Sequence, residues 1–280
     1  MANWKQIALL EAALLCLVGC GALQPQEPSL DFDRLPLEAF RLDHKAEAAF
    51  HRAEALLIRT CMTKAGFEWR TLSAAWPGPD PRRRRYGVAD ADIAQRYGYH
   101  PPAEDQQRFV KAIEAEQELF LQPGAEEAYS GPEGSEGQGC AAQARERLTD
   151  GADDVGHELF STLDERSLDL SERRPAVRAA TRAWRDCMRE RGYSSTTPRD
   201  AVADDWGLET PVPSRKERAV AGADVACKEK TSLTRTWLRE ETSIQRSLIA
   251  ENASYLAGLK KANDVYQRNV RAAMAEPDRF

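Results

Sequence analysis

The chain has 280 residues, 42% hydrophobic and 30% charged, with a mean hydropathy of −0.60. That is enough to bury a sizeable core, and too polar for a membrane bundle. The formal net charge of −6 excludes a general nucleic-acid binder, which needs a basic footprint.

The first element is the N-terminal run "MANWKQIALLEAALLCLVGC". Its apolar stretch over residues 7–18 is too short to span a bilayer core of roughly 30 Å and reads as a signal h-region. Leu17-Val18-Gly19-Cys20 resembles the lipobox of bacterial lipoproteins, in which cleavage leaves a lipid-modified cysteine at the new N-terminus. A single basic residue, Lys5, and Glu11 within the apolar run depart from the usual pattern; an ordinary amphipathic helix ending at Gly19 is the alternative. On the lipobox reading residues 1–19 are the signal peptide, Cys20 carries the lipid, and Cys16 leaves with the signal. The protein is then anchored on the extracytoplasmic face of the cell membrane.

Of the six cysteines, Cys61, Cys140, Cys187 and Cys227 then remain. An even number in an exported chain implies two disulfides, with three possible connectivities.

Residues 20–36, with three prolines, read as a tether. Ala46, Ala49, Phe50, Ala53, Leu57 and Cys61 then recur at helical spacing, with Asp43 as cap and Gly66 as terminator. Next comes a Pro, Gly, Arg and Tyr-rich loop containing a short helix near residues 89–95. A helix with Phe109, Ile113 and Phe120 on one face follows, and then the spacer "SGPEGSEGQG", which has no Gly-Lys-Ser/Thr to make it a phosphate loop. In "SERRPAVRAATRAWRDCMRERGYSS", Ser171 is the predicted cap, Pro175 lies in the opening turns, and Val177, Ala180, Trp184, Cys187 and Met188 form a face.

"CMTKAGF" and "CMRERGY" share Cys-Met, three residues, Gly and an aromatic, and the offset from 61 to 187 is 126 residues. That is too long for a solenoid repeat and points to two related halves, 37–150 and 151–280. Each half holds one further cysteine downstream, so the expected pairs are Cys61–Cys140 and Cys187–Cys227. From Ser214 to Ala275 there is no proline. Ala226, Leu233, Trp237, Ile244, Leu248, Tyr255, Leu259, Tyr266 and Val270 alternate steps of seven and four. An eleven-residue period keeps one apolar face along a nearly straight helix, about 90 Å long if unbroken.

The phrases "LPLEAFRL", "RRYGVADADIAQRYGYH", "AWRDCMRERGY", "RAVAGADVACKEKTSL" and "IQRSLIAENASYL" together resemble a group of secreted lipoproteins of actinobacteria, streptomycete in type. The likeness runs from about Leu35 to Met274. It implies a lipobox, paired cysteines and a long C-terminal helix, and it brings no activity and no catalytic residues.

His44, Glu47, His51 and Glu54 share a helix face, but a solvated polar face is the commoner origin of such spacing, and no metal site is expected. There is no Gly-x-Ser-x-Gly elbow, and the four remaining cysteines are assigned to disulfides, so the chain is expected to be non-catalytic and without cofactor. Arg82, Arg83, Arg84, Arg85, Tyr86, Tyr97 and Tyr99 form a candidate anion-binding loop. Trp237, Ile244, Leu248 and Tyr255 lie on the stripe expected to dock a partner helix. The predicted fold is mainly α: disulfide-stapled helices in two related halves packed with a long C-terminal helix. The predicted role is that of an interaction or accessory subunit meeting a protein partner in the cell envelope. The alternative is a binding module for wall polymer or a small ligand, with a possible transporter association.

Overall fold

The computed structural model describes residues 35–71, 84–134, 137–208, 210 and 212–277, with the side chain of Phe109 excepted. The signal segment with Cys16 and Cys20, the tether up to residue 34, and Arg82 and Arg83 lie outside the described residues. The fold is mainly helical, with two disulfides.

A short 3-10 helix, Pro36–Phe40, opens the described chain. Helix α1 (His44–Lys64) begins where the Asp43 carboxylate accepts from the Ala46 N–H at 2.7 Å. It ends where Phe67 N–H donates to the Met62 carbonyl and Gly66 takes φ +94°. Helix α7 (Pro175–Glu190) ends in the same way: Tyr193 N–H donates to the Met188 carbonyl and Gly192 has φ +85°. The shared phrase in the sequence is thus a shared C-terminal cap. It places Cys61 and Cys187 in the last turn of each helix, facing a second helix.

Those second helices are α5 (Cys140–Thr149) and α9 (Arg215–Lys230), and the bonds formed are Cys61–Cys140 and Cys187–Cys227. Between them come α2 (Ala91–Tyr97), α3 (Ala103–Phe120), α4 (Ala125–Ser130), α6 (Glu158–Glu172) and α8 (Pro198–Ala203). Ser171 is not the cap of α7. It lies in the last turn of α6, accepting from the Trp237 indole at 2.7 Å, and Arg174 precedes α7 instead.

The proline-free run is three helices rather than one. Helix α9 stops before Ser232, which has φ +53°. Helix α10 (Leu233–Glu251) stops at Asn252, whose side-chain amide donates to the Leu248 carbonyl, and α11 (Ala253–Ala275) follows. A break needs neither proline nor glycine when a local polar side chain satisfies the freed carbonyl.

Three apolar cores result. One joins α1, α4, α5 and the end of α11 through Leu57, Met62, Leu148 and Val270. A second joins α7, α8, α9 and the start of α10 through Trp184, Met188 and Trp237, and draws in Tyr86, Val88, Ala94 and Tyr99 from around α2. The third sets Leu37 of the 3-10 helix among Leu163, Ile244, Leu248, Leu256 and Leu259 of α6, α10 and α11. Halves cut at residue 150 therefore exchange pieces: the region around α2 packs with α7 and α9, and the end of α11 packs with α1 and α5.

Candidate functional site

Arg84, Arg85, Tyr86 and Tyr99 of the arginine and tyrosine segment are directed inward. Arg84 donates to the carbonyls of Tyr99 and His100 at 2.5 and 2.6 Å. Arg85 bonds Glu241, and reaches Asp164 at 2.9 Å. Burial works against the Arg85 charge, but the hydrogen bonds and charges of Glu241 and Asp164 outweigh it and hold the guanidinium above its ordinary pKa. The Tyr86 hydroxyl donates to Glu241 at 2.6 Å while its ring stacks on Trp237. Burial, then the Glu241 charge, pushes that phenol far up. Tyr99 donates to Asp224 and sits against Trp206. Tyr97 is half-buried, and its hydroxyl donates to Glu104 at the exposed side. Arg84, Arg85, Tyr86 and Tyr99 are therefore structural groups matching buried carboxylates and carbonyls, and not a surface that greets anions.

The C-terminal stripe is also covered. Trp237, Ile244 and Leu248 are each at most 5% exposed, because α6 and α7 pack over them. The Tyr255 hydroxyl donates to the Gly156 carbonyl at 2.8 Å and accepts from Phe160 N–H at 3.0 Å. The exposed docking face expected from the eleven-residue period is absent from these four residues; the partner helices come from the same chain.

What remains open is a cleft of about 530 Å³, within the range of small-molecule sites. Phe40, Arg41 and Leu42 enter from the connection ahead of α1, and Glu47, Phe50 and His51 from α1 itself. Helix α5 gives Arg145 and Thr149, and the start of α6 gives His157, Phe160 and Ser161. Leu259, Asn263 and Tyr266 of α11 complete it.

Local bonds hold these walls. Asn263 donates to the Phe40 carbonyl at 2.9 Å, and Gln245 accepts from Leu37 N–H at 2.9 Å, so the strap over residues 35–42 is fastened to α10 and α11. The Arg41 guanidinium lies 5.7 Å above the Phe160 ring centre and 3.5 Å from Glu38. Arg145 grips Glu54 through Nε and Nη2 at 3.2 and 2.9 Å, and His51 Nδ1 stands 3.5 Å from the other Glu54 oxygen. That carboxylate holds the His51 imidazole above its ordinary pKa against the opposing effect of burial. Phe50 and Tyr266 meet edge to face with centroids 6.1 Å apart.

Chemically, the cleft offers cations and aromatic faces. The Ser161 hydroxyl points to the His157 carbonyl at 3.4 Å, so no Ser–His nucleophile is assembled there. The buried carboxylates Glu217, Asp224 and Glu241 do not line it. Among the described residues no three His, Cys, Asp or Glu side chains are placed to hold a metal ion, and no helix is long and apolar enough to cross a membrane.

Of the residues singled out from the sequence pattern, His51 and Glu47, candidates there for metal ligation, reach the cleft, and Phe50, Leu259 and Tyr266, named there as apolar face residues, also line it. Arg41, Arg145, His157 and Tyr266 were missed as site residues. Three sequence regions, 40–51, 145–161 and 259–266, supply the walls, and no local motif marks such a convergence. No family model matches the chain, and no curated protein or solved structure matches it either.

Proposed function

We propose that the protein is a non-catalytic, lipid-anchored binding module on the extracytoplasmic face of the membrane, which captures a small ligand in the cleft between α1, α5, α6 and α11. One observation carries this reading: a cleft of about 530 Å³ whose polar lining includes Arg41, His51, Arg145 and His157 among four aromatic rings. Large apolar pockets with a few convergent polar groups are the usual form of a ligand site. The burial of Trp237, Ile244 and Leu248 favours this reading over the docking subunit, whose surface would have been their stripe. The lipobox-like Leu17-Val18-Gly19-Cys20 and the disulfides support an exported, oxidised location. We also propose that the two halves are related, on the strength of the matched caps and disulfides of α1 and α7.

The test has two arms. Native mass spectrometry of the protein released from membranes should detect a bound small molecule, and the same preparation of Ser161→Trp, which fills the cleft from an exposed wall, should lack it. A ligand retained by a folded Ser161→Trp would remove the cleft as the site. Cys20→Ala should move the protein from the membrane fraction into the medium, and a variant that stays membrane-bound would remove the lipid anchor.

A further inference from the structure

A second, narrower cavity adjoins the cleft. It measures about 90 Å³ and lies between α1 and α11, with Leu42, Ala46, Ala49 and Val270 in its lining. It shares Leu42, Phe50 and Tyr266 with the larger cleft, so the edge-to-face pair of Phe50 and Tyr266 stands at the junction of the two. The small side chains of Ala46 and Ala49 leave that slot open on the α1 side. Its lining is mostly aliphatic and aromatic, with Gln267 and Arg271 as its polar members.

The two cavities differ in charge. In a chain of net charge −6, the larger one is lined by Arg41 and Arg145 with Glu47 as its one lining carboxylate, while Glu38 and Glu54 meet the arginines from behind the wall. Neither arginine is saturated by its partner. Arg41 meets Glu38 only at 3.5 Å, which is long for a charged hydrogen bond. Arg145 engages Glu54 along its Nε and Nη2 edge, and its Nη1 has no partner among the described residues. A guanidinium with one edge fixed by a carboxylate and another edge uncommitted is oriented in advance for a carboxylate or phosphate.

Resting on the binding-module reading, we infer that the ligand is an anionic amphiphile. Its carboxylate or phosphate head sits in the larger cleft with Arg41 and Arg145, and its apolar chain passes Phe50 and Tyr266 into the slot between α1 and α11. A neutral chain would leave the uncommitted edges of both arginines without an acceptor, and a cation would meet like charges from them. A rigid polar sugar would leave the aliphatic slot empty.

Calorimetric titration of the full mature chain with four ten-carbon probes tests this. Decanoate and decyl phosphate carry the anionic head, and decanol and decyltrimethylammonium share the chain without it. The two anions should bind, and the ranking between them identifies the head as carboxylate or phosphate. Decanol and decyltrimethylammonium should bind at least about tenfold more weakly, the effect of one charge-assisted hydrogen bond. Arg41→Gln with Arg145→Gln should weaken the anions by a similar factor and leave decanol unchanged. Ala49→Phe, which fills the slot, should weaken all chain-bearing probes while a two-carbon acetate shows no change. Equal binding of all four probes, lost in Ser161→Trp, would overturn the anionic head and keep the cleft as a binding site. Tighter binding of decyltrimethylammonium would do the same and point to Glu47. No binding by any probe would overturn the amphiphile, and a small molecule still found on the native protein and lost in Ser161→Trp would preserve the cleft.

Discussion

Lys228 Nζ lies 2.9 Å from Asp224 Oδ2, one turn apart on α9, with neither side chain more than 3% exposed. The pair is completed by Val88, whose carbonyl accepts from the ammonium at 2.8 Å, and by the Trp184 indole, which donates to Asp224 Oδ1 at 2.9 Å. Burial pushes the Asp224 carboxyl up and the Lys228 ammonium down, and each partner's charge opposes that. Removing one partner leaves an uncompensated buried charge, which costs far more than the intact pair contributes. Lys228→Met should therefore lower the unfolding free energy by about 3–5 kcal/mol in urea titrations. Adding Asp224→Asn should restore part of it. Strict additivity of the two changes would show that the charges are not coupled.

Gly98 follows α2 with φ +56°, and a Cβ there would stand 2.5 Å from Glu217 Oε1. That oxygen accepts from Tyr99 N–H, His100 N–H and the His100 ring. An alanine would be strained in its backbone and would displace the acceptor of three buried donors. Gly98→Ala is expected to destabilise the protein by about 2–4 kcal/mol. Proteolysis should also first appear near residues 84–100, since Glu217 fastens that segment to α9. Wild-type stability in Gly98→Ala would mean that Glu217 can be replaced by water.

The two disulfides close separate loops, with sequence separations of 79 and 40. On loop entropy each contributes about 4 kcal/mol. Because one ties α1 to α5 and the other α7 to α9, in different cores, their losses should add. The Cys61→Ser, Cys140→Ser and Cys187→Ser, Cys227→Ser double variants, and the quadruple variant, can be compared by chemical unfolding. A quadruple cost well below the sum of the two would show the cores to be coupled through the bridges.

The disulfide pairing was legible because the repeated Cys-Met, glycine and aromatic phrase marks two halves, each with one further cysteine downstream. The eleven-residue stripe was legible as a buried face, but its role was not. Periodicity shows that a face is apolar and says nothing of what covers it. Trp237 is covered by Tyr86 and by Ser171 of α6, neither of which carries a marker of that destination. The arginine run misled for a related reason. Four consecutive arginines suggest solvent, yet Arg85 answers Glu241, a carboxylate 156 residues later that is wholly enclosed. The breaks at Ser232 and Asn252 depend on a single backbone φ and a single amide, below the resolution of any hydrophobic pattern. The cleft depends on where residues 40–51, 145–161 and 259–266 meet, so Phe50, Leu259 and Tyr266 stood out in the sequence only as apolar faces, and His51 and Glu47 for a different chemistry.

His51 and Glu54 give the cleft wall a pH signature. The facing Glu54 carboxylate raises the His51 pKa above 6.5, with burial opposing it. Glu54 in turn is held below 4.5 by His51, against burial, with Arg145 adding to the effect. A raised histidine contributes stability that is fully present below its unfolded value and lost as pH rises through its folded value. A lowered carboxylate contributes stability present above its unfolded value and lost as pH falls through its folded one. Both contributions are thus present together between pH 4.5 and 6.5. The stability difference between wild type and His51→Gln, measured by urea unfolding from pH 4 to 9, should be largest in that window and shrink above neutrality as His51 loses its proton. Both side chains are partly solvated, so the amplitude should be small and reduced by salt. A difference that is flat with pH would place the His51 imidazole outside the influence of Glu54, leaving Arg145 as the partner among the described residues that orients the carboxylate at this wall.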